Sequence, residues 1–337
     1  MNALPNTLSP AGKRSTPKVE HGGDLAAVRR LFPDAPLPWI DLSTGINPVP
    51  YPLPPLSPDV WARLPSREDE AALIAAAARR YGVEDVASVV AAPGTQALIQ
   101  VLPRLVARTR VAVVGPTYEE HEACWRRQGH DVTVVDCLDQ AGDAEVVVLV
   151  NPDNPSGRLV RTEDLLPRSG LLVVDEAFVD LLPPEASLAG KLPPRTIVLR
   201  SFGKVYGLAG LRLGFAIADT ELVEALRSEL GPWAVAGPAL EIGRIALGDE
   251  AWLRSAAQRL AADCARLDAA LDAAGFIAVG GTPLFRLVEH PEASAIADRL
   301  AQCGIHVRRF GANPIRLRFG VPQGSGQFGR LDAALRK

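Results

Sequence analysis

The sequence predicts an α/β fold: a large domain with a mostly parallel central sheet flanked by helices, then a smaller C-terminal α+β domain. Three observations carry this expectation. Uninterrupted apolar runs (EVVVLV, LLVVD, TIVLRS) recur among helical patterns from residue 67 onward, as strands buried on both faces require. After Thr220 the composition shifts toward helical patterns. The 337 residues, 47% of them hydrophobic, suit one large core plus a smaller one. The expected divisions are 1–40 for an arm and a segment packing on the small domain, 41–225 for the large domain, and 226–337 for the small domain.

Taken in order, residues 1–20 read as a loosely attached arm, and residues 21–65, rich in Pro and Gly, as irregular chain. A helix over Arg67 to Tyr81 precedes a strand over Val86 to Ala91, and Pro-Gly-Thr-Gln opens a helix reaching about Ala107. A strand at Arg110 to Val114, a helix at Tyr118 to Gln128 and a strand at Val132 to Val135 follow. Four more strands are expected at Glu145 to Val150, Leu171 to Val174, Thr196 to Arg200 and Leu213 to Ala218. Helices dominate from Glu221 to Ala274, including a long Ala/Arg-rich run from Glu250. Short strands at 276–279, 283–288, 305–308 and 315–319, with a helix over Ala293 to Cys303, complete the small domain.

Composition narrows the function. A net charge of −3 gives no basic footprint for nucleic acid or anionic membrane. No apolar run approaches the roughly 20 residues of a spanning helix. The start, MNALPNTLSPAGKRSTPK, lacks the apolar region of a secretory signal, so the cytoplasm is expected. Cys124, Cys137, Cys264 and Cys303 show no C-x-x-C spacing and no adjacent His, so they read as free thiols and not as metal ligands. Lysine is scarce: of Lys13, Lys18, Lys191, Lys204 and Lys337, only Lys204 sits in an otherwise uncharged segment, SFGKVYGLAG.

Four expected strands end in polar motifs, and ligands of open α/β sheets gather beyond strand ends. In APGTQAL, residues Gly94, Thr95 and Gln96 open a helix, which serves either as a plain cap or as a phosphate site. VNPDNPSG is a rigid polar loop. Asp175, in LLVVDEAF, ends an apolar strand, where a carboxylate needs a cation or hydrogen-bond donors; a structural ion pair and a protonated pyridine nitrogen both answer. In RSFGKVYGLAGLRLGF, Ser201, Lys204 and Arg212 surround a Gly-rich stretch. An amine among apolar groups and cations has a lowered pKa and attacks aldehydes.

In this order the motifs N-P-D-N-P-S-G, D-E-A-F, S-F-G-K and G-L-A-G-L-R-L-G resemble the pyridoxal-phosphate fold-type-I superfamily, class I/II aminotransferase branch, over about residues 20–335. The resemblance implies pyridoxal 5'-phosphate held as a Schiff base on Lys204. It implies Asp175 at the pyridinium nitrogen, Asn154 at the ring 3-oxygen and Tyr118 stacked on the ring. Thr95, Ser201 and Arg212, with the backbone of Gly94 to Gln96, would hold the cofactor phosphate. Arg316, in PIRLRFG, resembles the arginine that grips a substrate α-carboxylate. A homodimer is implied as well. Two positions depart from the pattern: Phe178 stands where many members have Tyr, and Leu64 where many have a Tyr that reaches the partner's cofactor phosphate.

The amino-terminal strings His21-Gly22-Gly23-Asp24 and DLSTGINP resemble the threonine-phosphate decarboxylases of cobalamin biosynthesis. That resemblance implies a small phosphorylated amino acid, L-threonine O-3-phosphate, as substrate, and (R)-1-amino-2-propanol phosphate and carbon dioxide as products. His21, Gly22, Gly23, Ser43 and Asn47 are then the candidates for the substrate-phosphate pocket. The competing readings are a histidinol-phosphate aminotransferase, a cofactor-binding module of a transcription regulator, and an α/β protein without cofactor.

Overall fold

The computed structural model describes residues 22–165 and 170–336. The described strands are β1 (Ile40–Leu42), β2 (Val89–Ala92), β3 (Arg110–Val114), β4 (Asp131–Val135), β5 (Val146–Val150), β6 (Leu171–Asp175), β7 (Thr196–Ser201), β8 (Gly214–Ile217), β9 (Ile277–Thr282), β10 (Phe285–Glu289), β11 (Ile305–Arg309) and β12 (Arg316–Gly320). They form a seven-stranded sheet, β2-β8-β7-β6-β5-β3-β4, and a five-stranded sheet, β1-β11-β12-β10-β9.

The larger sheet explains the apolar runs. Val111, Val113, Val146, Val148, Leu171 and Val173 enter one buried cluster, while Ala112, Val114, Val147, Leu149, Leu172 and Val174 enter another. Successive side chains of a strand point to opposite faces, so burial of both faces demands an apolar residue at every position. Helix Arg67–Tyr81 covers one face and starts with a capping box between Ser66 and Asp69.

Strand direction places the chemistry. β8 runs antiparallel to both of its neighbours, β2 and β7, and the remaining pairs are parallel. The carboxyl ends of β2, β3, β5, β6 and β7 therefore share one edge with the amino end of β8. That edge carries Gly94, Tyr118, Asn154, Asp175, Lys204 and Arg212.

Four local expectations change. Residues Val86–Ser88 form a 3-10 turn capped by the Asp85 carboxylate, so the strand starts at Val89. The helix after Gly94 spans Thr95–Val101 and tightens into a 3-10 turn, Leu102–Arg104, where Pro103 has no N–H for an α-helical bond. The helix expected from Tyr118 spans Glu120–Arg127, whereas the expected helical region holds three helices, Thr220–Leu230, Gly237–Leu247 and the long run Glu250–Ala273, separated at Gly231 (φ +73°) and at the Asp249 cap. Within the segment read as irregular, β1 pairs in parallel with β11, Ile40 opposite Ile305. A division at residue 41 falls inside this strand, so residues 40–42 go with the C-terminal sheet. Four helices, Leu25–Leu31, Asp59–Ala62, Phe202–Val205 and Gly324–Leu335, add to the expected set. No helix of the described residues is long and apolar enough to cross a membrane.

Candidate active site

At the shared edge, Gly94, Thr95, Gln96, Tyr118, Asn154, Asp175, Ser201, Lys204 and Arg212 line one cavity of about 170 Å³. Tyr118, Asn154, Phe178 and Lys204 also border an adjoining cleft of about 580 Å³, together with Gly22, Ser43, Arg308, Arg316 and Arg318.

Lys204 lies in the short helix Phe202–Val205 that follows β7. Its amine is buried, with Nζ 5.4 Å from the Phe178 ring centroid. Burial first, then the cations Arg318 and Arg212, push its pKa down to about 8, against an opposing pull from Asp175. A fraction of the amine is then neutral near pH 7, as a nucleophile toward an aldehyde requires.

Asp175 ends β6 and is 3% exposed. Its Oδ1 accepts from the Ala177 N–H at 3.1 Å, and its Oδ2 lies 2.9 Å from His121 Nε2. His121 is fully buried in the helix Glu120–Arg127, where its backbone N–H donates to the Tyr118 carbonyl at 3.1 Å, and its Nδ1 has no partner. No sequence signal marks this histidine, which stands in EEHEA beside three acidic residues. The Tyr118 hydroxyl donates to Gln96 Oε1 at 3.1 Å, fixing the ring, and burial raises the phenol pKa. Gln96 Nε2 in turn donates to Glu120 at 2.9 Å, which leaves its backbone to face the cavity.

Gly94 takes φ +84°, and an added Cβ would lie 2.7 Å from Arg212 Nη2. Gly214 is as tight, its added Cβ falling 2.6 Å from the Thr95 nitrogen. Arg212 itself adopts a left-handed conformation, φ +53°, with Nη1 donating to the Ala209 carbonyl at 3.1 Å. Two glycines thus keep a cradle open between the Arg212 guanidinium and the Gly94–Gln96 turn. The cradle suits a phosphate, and the carboxylate of Asp175 lies in the same cavity. A phosphate end, an acid for a ring nitrogen and a buried amine fit pyridoxal phosphate.

Arg318, not singled out from the sequence, occupies the adjoining cleft. It is 7% exposed, with Nη1 donating to Asn154 Oδ1 and Nη2 to the Ser43 carbonyl at 2.9 Å, while Nε is buried without a partner. Burial and Arg308 lower its pKa to about 10, with Asp41 opposing. Arg316, two residues earlier on the same strand face, is bound to Glu289 at 2.7 Å, its direct partner across the β10–β12 ladder. Leu287 stands opposite Arg318, so that arginine keeps its charge for the cleft.

The amino-terminal candidates separate. His21 lies outside the described residues. Gly22 and Ser43 border the cleft, but the Ser43 hydroxyl is occupied: it donates to Asp41 Oδ1 at 2.6 Å and accepts from the Gly23 N–H at 2.8 Å. Asn47 is buried away from the cleft. Its backbone N–H donates to the Lys204 carbonyl at 2.9 Å, and its side chain donates to the Val205 carbonyl and accepts from the Val49 N–H. It clamps the Lys204 turn.

The family model described as aminotransferase class I and II matches residues 56–327. The chain belongs to that family. Among its relatives, a threonine-phosphate decarboxylase of Pseudomonas aeruginosa is 42% identical, the match covering 94% of this chain and 97% of the relative. A histidinol-phosphate aminotransferase of Mycobacterium bovis is 34% identical over 74% of this chain and 71% of its own length. In fold, the chain is similar to histidinol-phosphate aminotransferase from Sinorhizobium meliloti, crystallised in complex with pyridoxal-5'-phosphate. That likeness has a TM-score of 0.76 at 23% identity and covers 97% of each chain.

Proposed function

We propose that this protein decarboxylates L-threonine O-3-phosphate with pyridoxal phosphate, releasing carbon dioxide and (R)-1-amino-2-propanol phosphate for cobalamin biosynthesis. The observation that carries the reading is the cationic cleft beside Lys204, bordered by Arg308 and by Arg318 with its unpartnered Nε. A substrate bearing both a carboxylate and a phosphate matches that cationic lining. The 42% identity to a named threonine-phosphate decarboxylase supports the same reading.

Bound pyridoxal phosphate supplies an electron sink for the pair released when a bond at the substrate α-carbon breaks. In this reading Lys204 is the attachment point, Asp175 faces the ring nitrogen, and Asn154 the ring 3-oxygen. Tyr118 covers the ring face. Arg212, Thr95, Ser201 and the Gly94–Gln96 backbone hold the phosphate. His121 orients the Asp175 carboxylate from behind. Arg318, not Arg316, binds the substrate carboxylate, because Glu289 already neutralises Arg316. Arg308 takes the substrate phosphate, with Gly22 bordering the same space. These two contacts orient the bond between the α-carbon and its carboxylate for cleavage. Carbon dioxide departs, and Lys204 Nζ returns a proton to the α-carbon. Phe178 and Phe285, packed edge to face at 5.2 Å, keep water from the amine.

A homodimer in the cytoplasm belongs to this reading. Trp61, Leu64 and Trp233 are 70%, 69% and 60% exposed, an apolar cost that a second copy would relieve. Substrate selection tests the reading. Titrated into holoenzyme, L-threonine O-3-phosphate should perturb the visible absorbance at a concentration at least about tenfold below L-threonine, as a lost charged contact implies. Equal responses to L-threonine would refute a phosphate subsite, and tighter binding of histidinol phosphate would favour an aminotransferase.

A further inference from the structure

Arg318 is held by two neutral acceptors that belong to different parts of the molecule. Asn154 lies in the loop after β5, and the Ser43 carbonyl lies just beyond β1 in the five-stranded sheet. Among the described residues no carboxylate is within ion-pair distance of Arg318, so these carbonyl groups, with the Phe285 ring centroid 4.9 Å from its guanidinium carbon, set where its charge points. Ser43 is completely buried and tightly fixed. Its N–H and hydroxyl both donate to Asp41 Oδ1, at 2.9 and 2.6 Å, and its hydroxyl accepts from the Gly23 N–H at 2.8 Å. Gly22 packs on the very carbonyl that receives Arg318: an added Cβ would lie 2.5 Å from the Ser43 oxygen. A real Cβ cannot sit there, so either the amino-terminal segment or that carbonyl must move.

We propose that Gly22 and Ser43 are positioning residues for Arg318, through which the amino-terminal segment sets the enzyme's grip on the substrate carboxylate. The inference rests on the reading that Arg318 binds that carboxylate. Gly22 acts without touching the arginine, by fixing the direction of its acceptor. Neither residue lines the cofactor cavity, so the effect falls on substrate binding and spares cofactor binding.

The test is a double-mutant cycle on holoenzyme, with Gly22→Ala, Arg318→Lys and their combination, and with Ser43→Ala as a milder probe. Three quantities are read: the dissociation constant of L-threonine O-3-phosphate from its visible-absorbance change, kcat against KM for carbon dioxide release, and cofactor affinity. Gly22→Ala should weaken substrate binding about tenfold, the scale of one disturbed charged hydrogen bond, with cofactor affinity unchanged. In the Arg318→Lys background the same change should cost less than about twofold, because residues acting through one group are not additive. Ser43→Ala, which keeps the carbonyl and loses the hydroxyl's ties to Asp41 and Gly23, should weaken binding about threefold. Independent, multiplicative effects, or a loss carried by cofactor affinity, would overturn the proposal. Undiminished binding in Arg318→Lys would instead remove the carboxylate role of Arg318 itself.

Discussion

Lys204, half-buried, and Arg318, buried, are cations that border one cleft, and their environments give them different tasks. Lys204 has its pKa lowered to about 8 by burial and by Arg318 and Arg212. The neutral amine captures the cofactor aldehyde, so capture by apoenzyme should accelerate as pH rises through about 8 and level off above it, as visible absorbance will show. A midpoint near the ordinary lysine value would mean that the amine is solvated. The linkage runs the same way. The unfolded chain keeps this proton to a higher pH than the folded one, so the apoprotein should gain stability from about pH 8 upward. His121→Asn should lower kcat about tenfold or more by releasing Asp175 Oδ2, while the cofactor phosphate grip stays intact. A kcat near that of the unaltered enzyme would reduce His121 to core packing. At this scale the sequence exposed the residues set in rigid motifs. It singled out Arg316 and passed over Arg318, two residues further along the same strand face. Their difference is Glu289, which the β10–β12 register places opposite only the first.

At the scale of elements, two devices hold the site-bearing edge. The glycines at 94 and 214 keep the phosphate cradle open, and Gly94→Ala should raise the cofactor dissociation constant at least about tenfold, since a Cβ 2.7 Å from Arg212 must displace it. Unchanged affinity would show that the guanidinium yields freely. Elsewhere on β7, Arg200 is buried with Glu176 and Asp180, donates to Ser187 Oγ at 3.0 Å, and lies 4.3 Å from the Tyr81 ring centroid. This group anchors the chain after Asp175. Arg200→Ala strands buried carboxylates and should cost about 3–5 kcal/mol of stability, measured by denaturant unfolding. The strands of the larger sheet were legible because burial on both faces writes an apolar residue at every position. β1 was not: it has three residues, borders Pro-rich chain, and exists only through its pairing with β11, more than 260 residues away. Pro103 was a visible helix stop that the long apolar stretch obscured.

Across the whole molecule, the two sheets meet where Arg318 reaches from β12 to the Asn154 loop, so the substrate cleft belongs to both. The expected division at residue 41 missed this weave, because a boundary read from composition cannot see a strand that joins a distant sheet. The exposed trio Trp61, Leu64 and Trp233 gives a prediction at the same scale. Leu64→Glu combined with Trp233→Glu should halve the mass seen by sedimentation, and an unchanged mass would place the dimer contact elsewhere. The central claim is decarboxylation at Lys204, and nuclear magnetic resonance of the products in D2O tests it most directly. Holoenzyme given L-threonine O-3-phosphate without any keto acid should form carbon dioxide and aminopropanol phosphate carrying one deuterium on the amine-bearing carbon. No product without 2-oxoglutarate, and glutamate with it, would contradict the account and leave an aminotransferase on the same lysine.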